Sequence, residues 1–474
     1  MIDRSAITRW SHPLRFAAAG LAGAYAAGIA LAPTPPLALA LAAPAAALPL
    51  AYWAILKRDR WLTMFFAATL LLPPLPFGLG DSGPHPALIF VPLGLLAGVL
   101  GVWRAPDAPL NRAFGIFFLV LLGSAAEAML YSGAAAGLGS LMRVLLFGIS
   151  VYAFFYAAYG PGSREPQGAF AQVRTLYWMA VASALFACVD FYFQFPAPAG
   201  FGAQFIWLRS GVYRRAQGLF YEASTLGNFC AFFLTMIAAA LLSPRRQSPV
   251  SRRGLLLGGM VFAAALALSY SRGSLLNALV AIAVLIYLSR SRIRLGRFIL
   301  ALAGAALAAA MAVRVLLPSF ADAYWMRVST SVEYLFSETE GLLSGRVASW
   351  RLVLEFLAQH PWHALFGVGY KTLPYSDYLG RTVITDNMYL SLLAETGIVG
   401  LAAMLWLCLR ILRSARRASA SADPQRRFFG SWIYAFWAGQ MAQMFTGDLL
   451  TYWRVLPLYF WVLAMAVRHE HPVS

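Results

Sequence analysis

Residues 385–400 read TDNMYLSLLAETGIVG, with a carboxylate, Asp386, at the mouth of an apolar run that continues to residue 411 and holds a second carboxylate, Glu395. At a rise of about 1.5 Å per residue, residues 388–411 make a helix long enough to cross a hydrocarbon layer of about 30 Å. Asp386 at its start admits two readings. A carboxylate there can cap the helix and gain from the positive end of its dipole, or it can do chemistry at the membrane surface.

The same apolar length recurs along the chain. Of 474 residues, 60% are hydrophobic and only 12% charged, more apolar surface than a water-soluble core of this size requires. The pattern predicts an all-α polytopic membrane protein with about fourteen transmembrane helices, at 14–32, 37–56, 61–79, 87–103, 113–131, 140–159, 175–194, 223–243, 254–270, 273–289, 298–316, 388–411, 430–447 and 451–467.

Charge sets the orientation. With the N-terminus cytoplasmic, the inner segments collect most of the 37 basic residues, from Arg4, Arg9 and Arg15 through the group between Arg410 and Arg427 to Arg468. This positive-inside bias predicts both termini in the cytoplasm. The net charge of +18 then reflects topology and contact with anionic lipid. Nucleic-acid binding would need those charges on one folded surface, and they are dispersed over short segments. Cys188, Cys230 and Cys408 fall in predicted spans without metal-ligand spacing and read as small core residues. The basic start and first apolar run read as an uncleaved anchor, with cleavage after GIALA (28–32) as the alternative. The tail RHEHPVS (468–474) reads as solvated.

Two outer connections are long, 195–222 and 317–387, and long loops on a rigid scaffold are where binding and chemistry concentrate. They divide the chain into N-terminal transmembrane helices (1–194), a first outer loop (195–222), central transmembrane helices (223–316), a large outer loop (317–387) and C-terminal transmembrane helices (388–474). In the large loop, Val347, Trp350, Val353, Leu354 and Leu357 recur at helical spacing ahead of Pro361. They predict an amphipathic helix at the membrane interface.

The basic residues left on the outer side are Arg143, Arg209, Arg214, Arg215, Arg272, Arg314, Arg327, Arg346, Arg351, Lys371, Arg381 and Arg454. Arg272, in SYSRGS (269–274), sits between two apolar runs with almost no polar loop around it. An arginine near hydrocarbon costs about 2.5–3.5 kcal/mol on insertion scales, so either it snorkels to headgroups or an anion repays it. A planar guanidinium suits phosphate, to which it donates two parallel bonds. Arg209, Arg214 and Arg215 crowd one short loop just ahead of Glu222, where a multiply charged anion would relieve their repulsion. Glu222 either pairs with one of them, caps the next helix together with Ser224, or acts as a base. No Asp-X-Asp pair, His-Glu-X-X-His or glycine-rich nucleotide loop is present. Outer arginines with carboxylates nearby therefore suggest a pyrophosphate held without a divalent ion, and neither metal nor cofactor is expected.

The ordered set RRAQGLFYEAS (214–224), SYSRGS (269–274), SGRVASW (344–350), AQHPWHALFGVGY (358–370) and DNMYLSLLAETGIVG (386–400) resembles the O-antigen ligase and Wzy-type polysaccharide polymerase superfamily. The resemblance implies a metal-independent, membrane-embedded glycosyltransferase of the bacterial inner membrane. Such an enzyme moves a glycan from undecaprenyl pyrophosphate to an acceptor hydroxyl at the periplasmic face, which makes the two long outer loops periplasmic. By the same resemblance Arg215 and Arg272 hold the pyrophosphate, with Arg214 and Arg346 as helpers. Ligases carry a histidine, then Asn, Ser or Gln, nine residues and Gly-X-X-Gly. Here Asn387, Gly397 and Gly400 fit, but Asp386 stands at the histidine position. That departure, and the Glu222 form of the first motif, resemble polymerases more closely.

Displacement at an anomeric carbon passes through an oxocarbenium-like state in which a carboxylate can take the proton of the incoming hydroxyl. Asp386 and Glu222 are the candidate bases. Fixed positive charge stabilises the departing pyrophosphate. His360 and His363 read as a base or as capping and interface residues, and Tyr389 and Trp350 as sugar-stacking or belt residues. The reading is a polymerase of lipid-linked repeat units, partnered by its donor and acceptor glycans, membrane lipid and a chain-length regulator. The alternatives are a ligase acting on lipid A core, and a transporter or flippase using Glu127, Asp190, Glu395 and Asp448 as a proton relay.

Overall fold

The computed structural model describes residues 60–75, 85–99, 105–160, 168–197, 201–208, 211–244, 247–290 and 346–468, with parts of 20–31 and 304–329. The expected span 37–56, most of 298–316, part of 14–32, Arg209, the Arg346 side chain and the terminal histidines lie outside the described residues. The described elements are α1 (Arg60–Leu71), α2 (Phe90–Val99), α3 (Pro109–Tyr159), α4 (Ala169–Phe193), the strands β1 (Phe205–Leu208) and β2 (Gly211–Arg214), α5 (Ala223–Leu242), α6 (Arg252–Leu268), α7 (Arg272–Ser289), α8 (Arg346–Gln359), α9 (Pro361–Phe366), α10 (Met388–Ser419), α11 (Pro424–Gln443) and α12 (Leu456–Val467). Five of them, α3, α4, α5, α7 and α10, are long and apolar enough to cross a membrane. This is an all-α membrane protein.

Element α3 is two helices. Gly133 takes φ 85°, ψ 170°, and the chain folds back on itself there. Phe114 meets Phe154 at 4.7 Å between ring centroids, Tyr159 donates to Asn111 Oδ1 at 3.2 Å, and a Cβ on Gly137 would lie 2.8 Å from Met129 Cα. The outward face of this hairpin, with Leu119, Leu130, Leu138 and Met142 exposed, suits lipid and would be an aggregating patch in water.

At the centre lies α12, in which every residue from Leu456 to Val467 is buried. Its 12 residues span only about 18 Å, too short to cross alone, whereas a span was expected over 451–467. The start of that stretch is instead the end of a 3₁₀ turn (Leu449–Thr451) and a loop that leads to Leu456. Irregular backbone at this depth is tolerated because protein rather than lipid surrounds it. Helices α3, α10 and α11 pack around α12, and α5, α6 and α7 form an adjoining group joined to it through α11. The two groups are stitched by a buried amide network: Asn228 donates to Gln440 and Gln443 at 2.6 and 2.7 Å, and Tyr459 donates to Asn228 Oδ1 at 2.6 Å. Polar side chains bonding across helices do in membranes what hydrophobic burial does in water.

The amphipathic stretch forms α8. Val353 and Leu357 are buried in a small second core with Val368, Leu373, Val383, Leu390 and Ala394, while Leu354 faces outward at 53% exposure. Helix α10 breaks at Gly397, φ 67°, ψ −171°. Gly367 and Gly397 bring the 365–369 segment onto this break, with Val368 N–H donating to Ala394 O at 3.0 Å and Gly369 N–H to Glu395 O at 2.9 Å.

Candidate active site

A cavity of about 440 Å³ opens where the α3 hairpin, the 201–225 segment, the 371–386 loop, the start of α10 and the turn before α12 meet. Glu222 and Asp386, the two expected bases, both line it, as do Arg143, Lys371 and Arg454 and the carboxylates Glu395 and Asp448. Residues more than 230 positions apart thus share one mixed-charge chamber, within the size range of pockets that enclose small ligands.

Asp386 is exposed in the cavity wall with a left-handed backbone, φ 46°. It is not the cap of α10. Asn387 is, accepting from the Tyr389 and Leu390 N–H groups at 3.1 and 3.2 Å, so the capping reading moves one residue along. The neighbours fix this turn: Trp350 Nε1 donates to Thr385 O at 2.7 Å, and the Thr385 and Ser391 hydroxyls bond at 2.5 Å. Trp350 is therefore a brace for the Asp386 loop.

Glu222 stands at the N-cap position of α5 but makes no cap bond; Thr225 Oγ1 donates to its Oε2 at 2.5 Å. Burial pushes its carboxyl above the ordinary carboxylate range, while Thr225, Arg454 and Arg215 oppose the shift. Arg454, 7% exposed, lies with its guanidinium 5.0 Å from the centre of the Phe220 ring and donates to Leu219 O at 2.8 Å. Burial lowers it to about 10, which leaves it cationic at neutral pH. Arg143 lies over the Tyr375 ring at 4.3 Å.

The expected pyrophosphate ligands stand around the cavity rather than in its lining. Arg215 Nε donates to Ser269 O at 2.8 Å and Ala216 N–H to Leu268 O at 2.9 Å, which docks the Arg215 strand end on the turn that leads to Arg272. Ser271 caps α7, placing Arg272 in its first turn, and Gly273 packs so closely that a Cβ would lie 2.4 Å from Thr446 Oγ1, a cavity residue. The Arg215 and Arg272 segments are thus one contiguous wall. Arg214 diverges from them and pairs with Asp190 at 3.5 Å.

Histidine does not replace the missing ligase residue in this cavity. His85 lines it, but its Nε2 donates to Leu72 O at 3.1 Å and its Nδ1 accepts from Ala87 N–H at 3.1 Å. Burial first, then Arg454, lowers it to about 3, so it is a neutral strut. His363 is held between Gly367 O and the Tyr378 hydroxyl, and His360 bonds Phe356 O; neither lines the cavity. Tyr389 also lies outside the lining, its hydroxyl donating to Met441 O at 2.8 Å. Among the described residues no three His, Cys, Asp or Glu side chains gather as a metal-ligand set.

Arg143, Lys371, Asp448 and Arg454 were legible only as outer charges or as members of a relay. Their one sequence signal was a charge in or beside an apolar run. No curated protein matches the chain. Residues 257–405, which carry Arg272, Lys371, Asp386 and the Gly397–Gly400 pair, match the family model described as O-Antigen ligase, so this segment of the chain is similar to the O-antigen ligase family.

Proposed function

We propose that this chain is a membrane-embedded glycosyltransferase that polymerises undecaprenyl-pyrophosphate-linked oligosaccharide repeat units at the periplasmic face of the inner membrane. The observation that carries this reading is the meeting of Asp386 and Glu222 in one cavity beside the contiguous Arg215–Arg272 wall. Asp386 occupies the position that histidine holds in ligases, and the cavity histidine has both nitrogens engaged. A carboxylate base is the consequence.

In the reaction, an acceptor hydroxyl attacks the anomeric carbon of the donor and gives its proton to Asp386 or Glu222. The bond between that carbon and the pyrophosphate oxygen breaks, a glycosidic bond forms, and undecaprenyl pyrophosphate departs. Arg215 and Arg272, helped by Arg346, hold the leaving group, while Arg214, paired with Asp190, is not used; fixed charge aimed at developing charge needs no reorganisation during the step. Both termini face the cytoplasm, the segments 195–222 and 317–387 are periplasmic, and a chain-length regulator is a partner in this reading.

The description of the matched family favours a second reading, transfer of finished glycan to lipid A core. Cells lacking the protein decide between them. Loss of long lipid-linked polymer with single units persisting supports the polymerase; intact lipid-linked polymer with uncapped lipid A core supports the ligase. Turnover by purified protein in detergent, where no gradient exists, excludes a pure transporter.

A further inference from the structure

Beside the two candidate bases lies a charged pair that the reaction above leaves unused. Lys371 is only 8% exposed and pairs with Asp448, and both line the cavity. The Lys371 backbone is left-handed, φ 58°, a region that residues with a Cβ enter only at a cost. The fold enforces it. Val368 and Gly369 are bonded to the α10 backbone, the N–H groups of Lys371 and Leu373 interact with the Glu395 carboxyl, and Gly369, φ 114°, lies where a Cβ would be 2.3 Å from Ala128 Cα. Backbone strain maintained at a cavity wall marks a residue whose position matters.

A purely structural role explains this poorly, because a buried ion pair adds little stability over apolar packing. Asp448 also has a second employment: it caps the 449–451 turn, accepting from Leu450 N–H at 3.0 Å. Its carboxylate therefore keeps a partner if the lysine leaves. Thr446, two residues before Asp448, lines the same cavity, and Gly273 packs against it, so the Arg272 segment backs the wall that carries Asp448.

We propose that Lys371 is an exchangeable anion-binding residue, paired with Asp448 when no substrate is bound and turned to an anionic group of the substrate when one enters. This rests on the reading of the site as one for a pyrophosphate-linked donor. Two sources supply such a group in that reaction, the donor's pyrophosphate and the carboxylate of an acidic sugar.

Exchange makes a signed prediction. Asp448 competes with the substrate for Lys371, so removing each partner shifts affinity in opposite directions. Binding of geranylgeranyl pyrophosphate and, separately, of a glucuronic acid disaccharide is measured with purified full-length protein in detergent, for wild type, Lys371→Met, Asp448→Asn and the double variant. Lys371→Met weakens binding roughly tenfold or more, the loss of one charge-assisted bond. Asp448→Asn, which still caps the turn, tightens it. The double variant, with no carboxylate left unpartnered, keeps the wild-type melting behaviour and binds as weakly as Lys371→Met. Opposite shifts in the pyrophosphate arm assign the donor as the source, and in the disaccharide arm an acidic sugar. Shifts in the same direction, or none in either arm, make the pair structural and overturn the proposal. A wild type that binds neither probe overturns the pyrophosphate-donor reading itself, and this proposal with it.

Discussion

Gly397→Ala isolates the device on which the site's geometry depends. Gly397 combines φ 67° with ψ −171°, a region essentially confined to glycine, and forcing alanine there costs about 1–3 kcal/mol. The new Cβ would lie 2.1 Å from Leu365 O and 2.4 Å from Phe366 N, so two backbone segments must separate. Overpacking of that kind adds about 1–3 kcal/mol, for a total of about 2–6 kcal/mol. Glu395 and Ser391 on the cavity side of the break would move with it, and glycosyl transfer falls as the fold loosens. The control is Gly123→Ala in α3, where a Cβ meets nothing within 4 Å; it is neutral or stabilises by about 0.4–1 kcal/mol. Unfolding in detergent, followed by tryptophan fluorescence against temperature, reads both. If G397A melts with wild type while G123A behaves as expected, the close approach of α10 to the 365–369 segment is refuted.

Arg215→Ala and Arg272→Ala leave the protein in the membrane but abolish long polymer, with single lipid-linked units persisting on gels of extracted glycan; normal chain lengths in both would remove the pyrophosphate wall. Asn387→Ala removes the acceptor of two N–H groups and costs about 1 kcal/mol in the same melting assay, whereas Asp386→Asn leaves that cap in place and costs less. Glu222 gives a pH signature: burial holds its folded pKa above the unfolded one, so its base form accumulates at higher pH in the folded chain than in the unfolded one. Turnover therefore climbs with pH through the window between the two pKa values and stability declines across it, as the unfolded chain releases the proton first. Glu222→Gln flattens the stability change, and an unaltered slope in that variant contradicts the assignment.

The helices were legible because lipid imposes one uniform demand, a long apolar run, and the runs at 113–131 and 140–159 correspond to the two arms of the α3 hairpin. The last run was less legible. Its apolar residues are buried in protein rather than lipid, so length no longer marks a crossing, and α12 starts only at Leu456. Adjacent charges in sequence also part company in space: Arg214 turns to Asp190 and Arg215 to Ser269 O. Asp386 and Asn387 are both good caps, and the left-handed turn at Asp386 is what assigns the cap to Asn387. Arg143, Lys371 and Arg454 showed only as single charges in or beside apolar runs, since only folding brings three separate segments to one cavity.

The most direct measurement is conversion of a defined undecaprenyl-pyrophosphate-linked repeat unit by purified protein in detergent, comparing wild type with Asp386→Asn and Glu222→Gln. Expected is glycan elongation with release of undecaprenyl pyrophosphate by wild type, and loss of elongation in Asp386→Asn, whose melting point falls less than that of Asn387→Ala. Wild-type rates in both variants would contradict carboxylate-based transfer in this cavity.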